Sequence, residues 1–189
     1  MKTTLLSALV VSAPVLSAAP FIDEFADASN ISSFGVASEL ISGGELSVTR
    51  TSSTGDAGID WYIDQSTYFS LDSGDAQYIL EIDPVAAIGD GEWSPYILFF
   101  DNLNGYISEL QLTGFSASTS TLSENISEFA VNQSVAGAAQ YLVRIRFEGT
   151  SGSGFEFSEF AAVPEPSQSA LIGGVLALGA LLVVRRRRS

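Results

Sequence analysis

The chain has 189 residues, with no cysteine and no histidine, and its only lysine is Lys2. Without histidine it lacks the base of serine–histidine and cysteine–histidine catalysis. Without an internal lysine it also lacks Schiff-base and P-loop chemistry. The absence of cysteine excludes disulfides and the usual zinc ligand sets. The chemistry that remains relies on carboxylates, either for glycoside hydrolysis by paired acids or for calcium binding through oxygen.

Basic residues are scarce between positions 20 and 163. This region contains 21 carboxylates and only three basic residues, Arg50, Arg144 and Arg146. The formal charge of this region is therefore −18, against −14 for the whole chain. Such a field repels nucleic acid and anionic lipid, so we expect no nucleic-acid partner. Two interpretations remain open for the acidity: solubility with self-repulsion, or attraction of divalent cations.

Residues 1–19 are typical of a secretory signal peptide. Lys2 supplies the charged start, residues 5–16 are apolar, and small residues follow. The apolar stretch is short for a permanent anchor. We therefore expect the Sec translocon and signal peptidase as partners, and export of the domain that follows.

The last 27 residues combine a Pro-Glu-Pro motif, an apolar run and four arginines. As a helix, residues 170–184 would span roughly 22 Å, or roughly 27 Å from Ser167, which is short but plausible for a bilayer core of about 30 Å. Arg185, Arg186, Arg187 and Arg188 are expected to stay cytoplasmic. The motif would then lie at the outer surface of the membrane.

This order of motif, apolar run and arginines resembles the PEP-CTERM sorting signal of exopolysaccharide-producing Gram-negative bacteria. The residues that carry the resemblance are Val163, Pro164, Glu165, Pro166, Ser167, Gly173, Gly174 and the closing arginines. The family implies recognition by an exosortase, a membrane enzyme thought to cleave near the motif, with Glu165 as a recognised residue. A plain C-terminal membrane anchor is the alternative.

Short apolar or alternating segments separated by glycine, serine, asparagine and aspartate predict an all-β fold. We expect an antiparallel β-sandwich of jelly-roll type, similar in pattern to exported concanavalin-like domains and carbohydrate-binding modules. Asn104-Gly105 predicts a type I′ hairpin turn rather than a calcium loop. The predicted strands are 34–41, 45–51, 59–63, 68–71, 77–82, 96–100, 106–112, 126–131, 140–147 and 155–160.

The predicted organisation has three parts. Residues 1–19 form the signal peptide, residues 20–162 the sandwich, and residues 163–189 the sorting signal. The sorting signal divides into the motif at 163–167, a transmembrane helix at 168–184 and an arginine-rich cytoplasmic tail at 185–189. An inner-membrane intermediate would precede delivery to the cell envelope, surface or extracellular matrix.

Two strands alternate clearly between apolar and polar residues. In residues 141–148 the odd positions are predicted to face the core, with Arg144 and Arg146 outside. Asp60, Tyr62 and Asp64 share the predicted outer face of their own strand. With Trp93 they are the candidate carbohydrate contacts, because aromatic faces next to polar groups suit sugar rings. Ordinary packing and cross-strand ion pairs are the competing interpretations.

A calcium site at Asp23, Glu24 and Glu159 is a further hypothesis, since the first and last strands of jelly rolls often lie together. Exposed surface carboxylates are the alternative. No other cofactor is predicted. No pair of carboxylates stands out, so we expect a non-enzymatic surface or matrix protein that contacts carbohydrate. A carboxylate-dependent carbohydrate-active enzyme and a plain membrane-anchored structural protein are the alternatives.

Overall fold

A computed structural model describes residues 20–63, 67–71, 78–112, 121–126, 129 and 135–164. These residues form an all-β domain of two antiparallel sheets, as the sequence predicts. Twelve strands lie within the described residues: β1 (Phe21–Asp23), β2 (Ile31–Gly35), β3 (Ala37–Ser42), β4 (Glu45–Arg50), β5 (Ala57–Trp61), β6 (Phe69–Ser70), β7 (Tyr78–Ile88), β8 (Glu92–Phe100), β9 (Tyr106–Gln111), β10 (Leu122–Asn125), β11 (Gln140–Glu148) and β12 (Gly154–Pro164).

Each sheet contains six strands. The first has the order β10-β7-β12-β4-β3, with β1 paired to the end of β12. The second has the order β2-β5-β11-β8-β9, with β6 paired to the start of β11. Neighbours in each sheet are seldom consecutive in sequence, so the sandwich is held together mainly by long-range pairing.

Strand β11 shows why the sheets pack face to face. Its residues Tyr141, Val143, Ile145 and Phe147 are at most 2% exposed, while Arg144 and Arg146 between them remain accessible. Because side chains alternate across a strand, one face enters the core and the other faces outward, where Leu142 is covered by other side chains and is 2% exposed. The predicted alternation of this strand is confirmed.

Aromatic rings fill the space between the two sheets. Trp61 of the second sheet packs edge-on against Phe160 of the first, with ring centroids 5.4 Å apart. Trp93 packs in the same way against Phe157, also at 5.4 Å. Edge-to-face pairs of this kind add stability beyond the apolar area that they bury. Because the chain has no cysteine, this packing stabilises the domain without disulfides.

Several strand boundaries differ from the predictions. The single strand predicted at 34–41 is two strands, β2 and β3, because the chain crosses between sheets at Val36. Residues 126 and 129 are helical rather than extended, and the adjacent strand is β10. The short strand β1 was not predicted. It pairs with β12 from Phe21 opposite Ala162 to Asp23 opposite Phe160.

The predicted hairpin between β8 and β9 is present, but the prediction of a type I′ turn is wrong. That turn requires a positive φ at both central residues, whereas only Asn104 has one, of 64°. The connection is longer, from Asp101 to Gly105. Asp101 Oδ1 accepts hydrogen bonds from the backbone N–H groups of Leu103 and Gly105. The aspartate therefore closes the loop in place of a two-residue turn.

Both predicted targeting segments lie outside the described residues, apart from the end of β12. Among the described residues there is no helix long and apolar enough to span a membrane. Strand β12 continues through Val163 to Pro164, two residues beyond the predicted end of the sandwich at 162.

Tyr141 provides a test of the core. Its hydroxyl is buried, has no hydrogen-bond partner among the described residues, and has a pKa raised by burial. We expect Tyr141→Phe to stabilise the domain at neutral pH by about 1 kcal/mol, because it removes an unpaired polar group. Urea unfolding checks this.

The same substitution should also change the response to alkali. The unfolded tyrosine ionises near pH 10, whereas the folded one keeps its proton to higher pH, so the wild type loses stability above about pH 10. The Tyr141→Phe variant should lose less stability over the same rise in pH. Tyr106→Phe, at an exposed ring, is the control. A destabilised Tyr141→Phe at neutral pH would show that the hydroxyl has a partner.

Candidate functional site

The outward side of the second sheet carries a group of aromatic residues, four of them half-buried or exposed tyrosines. We call this surface the tyrosine face. It is positioned by the alternation of β8 and β11, whose inward residues form the core. Leu98, Phe100 and Leu142 form its apolar floor, and half-buried tyrosines pack against that floor. Its aromatic residues are Tyr62, Tyr68, Tyr96, Phe100 and Tyr106.

Four of these rings follow one another across the sheet. Tyr62 lies 6.0 Å from Tyr68, Tyr68 stacks on Phe100 at 4.3 Å, and Phe100 meets Tyr106 edge-on at 6.0 Å. Tyr106 is 59% exposed. The rings come from the end of β5, the start of β6, the end of β8 and the start of β9. We call these four rings the aromatic platform; Phe100 is only 7% exposed, so Tyr62, Tyr68 and Tyr106 supply its accessible surface.

Two ion pairs lie beside the aromatic platform. Arg144 donates from Nε and Nη2 to the two carboxylate oxygens of Asp60, at 2.6 and 2.7 Å. Arg146 donates from Nη2 to both oxygens of Glu109, at 2.7 and 2.9 Å. The Arg144–Asp60 pair, with two donors on two oxygens, fixes the orientation of both side chains, whereas Arg146 reaches Glu109 through Nη2 alone. The hydrogen bond to Asp60 also raises the pKa of Arg144, which keeps its positive charge.

Each guanidinium also lies over an aromatic ring. Arg144 is 4.3 Å from the centroid of Phe34, and Arg146 is 4.4 Å from that of Tyr96. Gly58 makes room for the first contact, because a Cβ there would lie 2.3 Å from the Phe34 ring. The absence of a side chain at residue 58 therefore positions Phe34, and through it Arg144. Cation–π contact restrains both arginines further.

The tyrosine face differs in charge from the rest of the domain. Its Arg144 and Arg146 are the accessible basic side chains of the region 20–163, since Arg50 is only 6% exposed. Each is neutralised by one carboxylate. The charges beside the aromatic platform are therefore paired, whereas the far end of the same outer face carries the exposed Glu92 and Glu148 opposite each other. Burial, and then the charge of Asp60, raises the pKa of Tyr62, so its hydroxyl stays protonated at neutral pH.

The predicted carbohydrate contacts separate into three groups. Asp60 and Tyr62 lie on the tyrosine face, although Asp60 is engaged by Arg144. Asp64 lies outside the described residues. The prediction of Trp93 as a surface contact is wrong. Its side chain is fully buried between the sheets against Phe155 and Phe157, where no ligand reaches it.

Four aromatic residues of the face were not predicted: Tyr68, Tyr96, Phe100 and Tyr106. Their own segments were predicted as strands, but the sequence does not show that those strands are neighbours. One signal was available in the run 96–100, whose alternate residues Tyr96, Leu98 and Phe100 are all large and apolar. Apolar residues on both sides of a strand indicate an outer face covered by other side chains or by a ligand.

The calcium site at Asp23, Glu24 and Glu159 is wrong as predicted. Strands β1 and β12 do pair, but these carboxylates do not come together, and the described part of the chain contains no group of three acidic side chains able to hold a metal. Asp23 is buried instead. It accepts hydrogen bonds from the Phe25 N–H at 3.0 Å and from Trp61 Nε1 at 3.2 Å. Its carboxylate anchors the first strand to the core.

The residues of the predicted sorting motif divide at the end of β12. Val163 and Pro164 pair with Ile79 and Tyr78 of β7. Glu165, Pro166 and the arginines at 185–188 lie outside the described residues.

No protein-family model and no curated protein matches the chain. Among solved structures, the carbohydrate-binding module CtCBM11 in solution is similar, with 15% identity, coverage of 81% of this chain and 99% of that one, and a TM-score of 0.48. A family 11 carbohydrate-binding module from Clostridium thermocellum, in complex with a β-1,3-1,4-mixed-linked tetrasaccharide, is 14% identical. The match covers 78% of this chain and 97% of that one, with a TM-score of 0.40. The enzymatically active domain of tailspike protein 4 from bacteriophage CBA120 is 12% identical. The match covers 74% of this chain and 20% of that one, with a TM-score of 0.43.

The Asp60–Arg144 pair predicts a specific pattern of unfolding energies. Arg144→Leu should lower the free energy of unfolding by about 2 kcal/mol. It leaves the Asp60 carboxylate, whose side chain is 10% exposed, without its cation. The double variant Asp60→Leu/Arg144→Leu should recover part of that loss. Arg146→Leu is the matched control, since its partner Glu109 is 29% exposed and better hydrated. Equal losses in Arg144→Leu and Arg146→Leu would contradict this account of the pair.

Proposed function

We propose that this chain is an exported surface or matrix protein whose tyrosine face binds extracellular polysaccharide without catalysis. The observation that carries the proposal is the run of neighbouring rings from Tyr62 to Tyr106. The PEP-CTERM-like tail would deliver the protein for processing by an exosortase. The jelly-roll arrangement expected from the sequence would supply the rigid platform.

The aromatic platform suits a sugar chain for a physical reason. Sugar rings present C–H groups on their faces and hydroxyls at their edges, and aromatic rings offer apolar area that costs little conformational entropy. A few fixed polar groups beside the rings then give orientation. Arg144 and Arg146 are such groups, since each is already fixed by a carboxylate and a ring.

The same arrangement favours binding over hydrolysis. A glycosidase needs two free carboxyl groups flanking the bond that breaks, one of them a proton donor. On the tyrosine face, Asp60 and Glu109 each accept hydrogen bonds from an arginine. Their oxygens serve to position the guanidinium groups, which supports a non-enzymatic role.

Charge supports the choice of this face over others. A polysaccharide approaching the acidic parts of the domain would have to displace their tightly held water and counterions. Around the aromatic platform, the tyrosine face combines exposed apolar area with two ion pairs, Arg144 with Asp60 and Arg146 with Glu109. A sugar chain can therefore cover this area at a lower desolvation cost than an area of unpaired carboxylates.

Binding is tested by electrophoresis through gels that contain a neutral glucan, a neutral galactan or an acidic polyuronate. We expect at least one polysaccharide to retard the wild type. Tyr62→Ala and Tyr106→Ala should each weaken that retardation roughly tenfold, since each removes an aromatic surface worth about 1.4 kcal/mol.

Leu40→Ala is the matched control for retardation, because Leu40 is 65% exposed on the other sheet. It should migrate as the wild type does. A wild type unaffected by any polysaccharide, or equal losses in Leu40→Ala and Tyr106→Ala, would contradict the assignment of this face. Release of reducing ends from the retarding polysaccharide would contradict the proposal that the protein binds without catalysis.

Sorting is tested by the intact mass of the protein recovered from the envelope and matrix of its native cell. We expect a C-terminus within residues 164–167, with the arginines at 185–188 removed. A chain that still ends at Ser189 would refute processing and leave a membrane-anchored surface domain.

A further inference from the structure

The end of β12 contains part of the segment that the sorting proposal assigns to processing. Val163 lies opposite Ile79, and Pro164 lies opposite Tyr78, both in antiparallel register with β7. Half of the four residues Val163-Pro-Glu-Pro therefore belongs to the folded sheet. No linker separates the domain from the motif.

The pairing of this strand weakens stepwise toward the motif. From Phe160 to Ala162, β12 has β7 on one side and β1 on the other, since Asp23 lies opposite Phe160 and Phe21 opposite Ala162. Ala161 and Ala162 are at most 1% exposed. Val163 lies beyond the register of β1, is half-buried, and pairs only with β7. Pairing on both sides of β12 thus ends at Ala162, and Val163 and Pro164 are paired on one side only.

We propose that folding of this strand end and processing of the tail compete for the same residues. The pairing of Val163 and Pro164 with β7 would slow processing until the strand end opens. This inference rests on the proposed sorting function. It makes the domain itself a regulator of its release, because a tightly closed sandwich withholds the motif.

The physical reason lies in how peptide bonds are cut. A processing enzyme usually takes its substrate as an extended strand, through main-chain hydrogen bonds. The carbonyl carbon then bonds to the attacking nucleophile, the C–N bond breaks, and the new amino group leaves with the membrane-bound remnant. Main-chain groups that already pair with β7 cannot pair with the enzyme at the same time. The strand end must therefore open first.

A cross-strand disulfide tests whether opening limits processing. Ile79 and Val163 are direct partners on adjacent strands, which is the arrangement that a disulfide between strands requires. The chain has no other cysteine, so Ile79→Cys/Val163→Cys can form only this intramolecular bond. The full-length variant is expressed in the native cell, and processing is followed by intact mass during a chase with or without dithiothreitol.

A second variant should have the opposite effect. A Gly-Ser-Gly-Ser insertion between Ala162 and Val163 moves the intact motif away from the sheet on a flexible linker. The same insertion between Gly43 and Gly44, in the exposed β3–β4 turn, is its control. Val163→Cys alone is the control for a change in the motif itself.

We expect the oxidised double variant to be processed at least about tenfold more slowly than the same variant in reductant. The insertion before Val163 should be processed faster than the wild type, and the insertion at Gly43 at the wild-type rate. If the wild type is processed but oxidation or the linker leaves the rate unchanged, the competition is refuted while sorting stands. If the wild type and the linker variant both keep Ser189, the sorting proposal fails, and this inference fails with it.

Discussion

The strict two-residue alternation of β11 is the constraint on which the rest of the molecule depends. Its inward residues Tyr141, Val143, Ile145 and Phe147 fill the centre of the sandwich, and their neighbours point outward. A shift of one residue would bury Arg144 and Arg146 and expose the core. The same register therefore determines both the packing of the sheets and the position of the arginines beside the aromatic platform.

The three arginines of the domain divide between its interior and its surface. Arg50 is buried and donates hydrogen bonds to the carbonyl oxygens of Ser52, Gly55 and Phe147, so it joins the β4–β5 connection to β11. A buried charge is tolerated only when its donors are paired, and these carbonyls pair them. The other two arginines lie on the tyrosine face with a carboxylate each. A strongly acidic domain can therefore present one aromatic area whose neighbouring charges are paired.

Local pattern was sufficient to predict the class of the fold, the core side of β11 and the chemistries that the chain lacks. Alternation and turn residues are properties of short segments, so residues 141–147 could be assigned to inside and outside from their order alone. Asp60 and Tyr62 were placed on one outer face for the same reason. The two targeting segments were likewise predicted from local composition and remain predictions.

The packing of the whole chain was needed to establish which strands are neighbours, and therefore what each outer face contains. Tyr68 and Phe100 are far apart in sequence and stack because β6 and β8 both pair with β11. Trp93 is buried because Phe157 approaches from the other sheet. Asp23 meets Trp61 rather than a metal because β1 adds to β12. These outcomes depend on strand order, which arises from long-range packing and leaves no local pattern in the sequence.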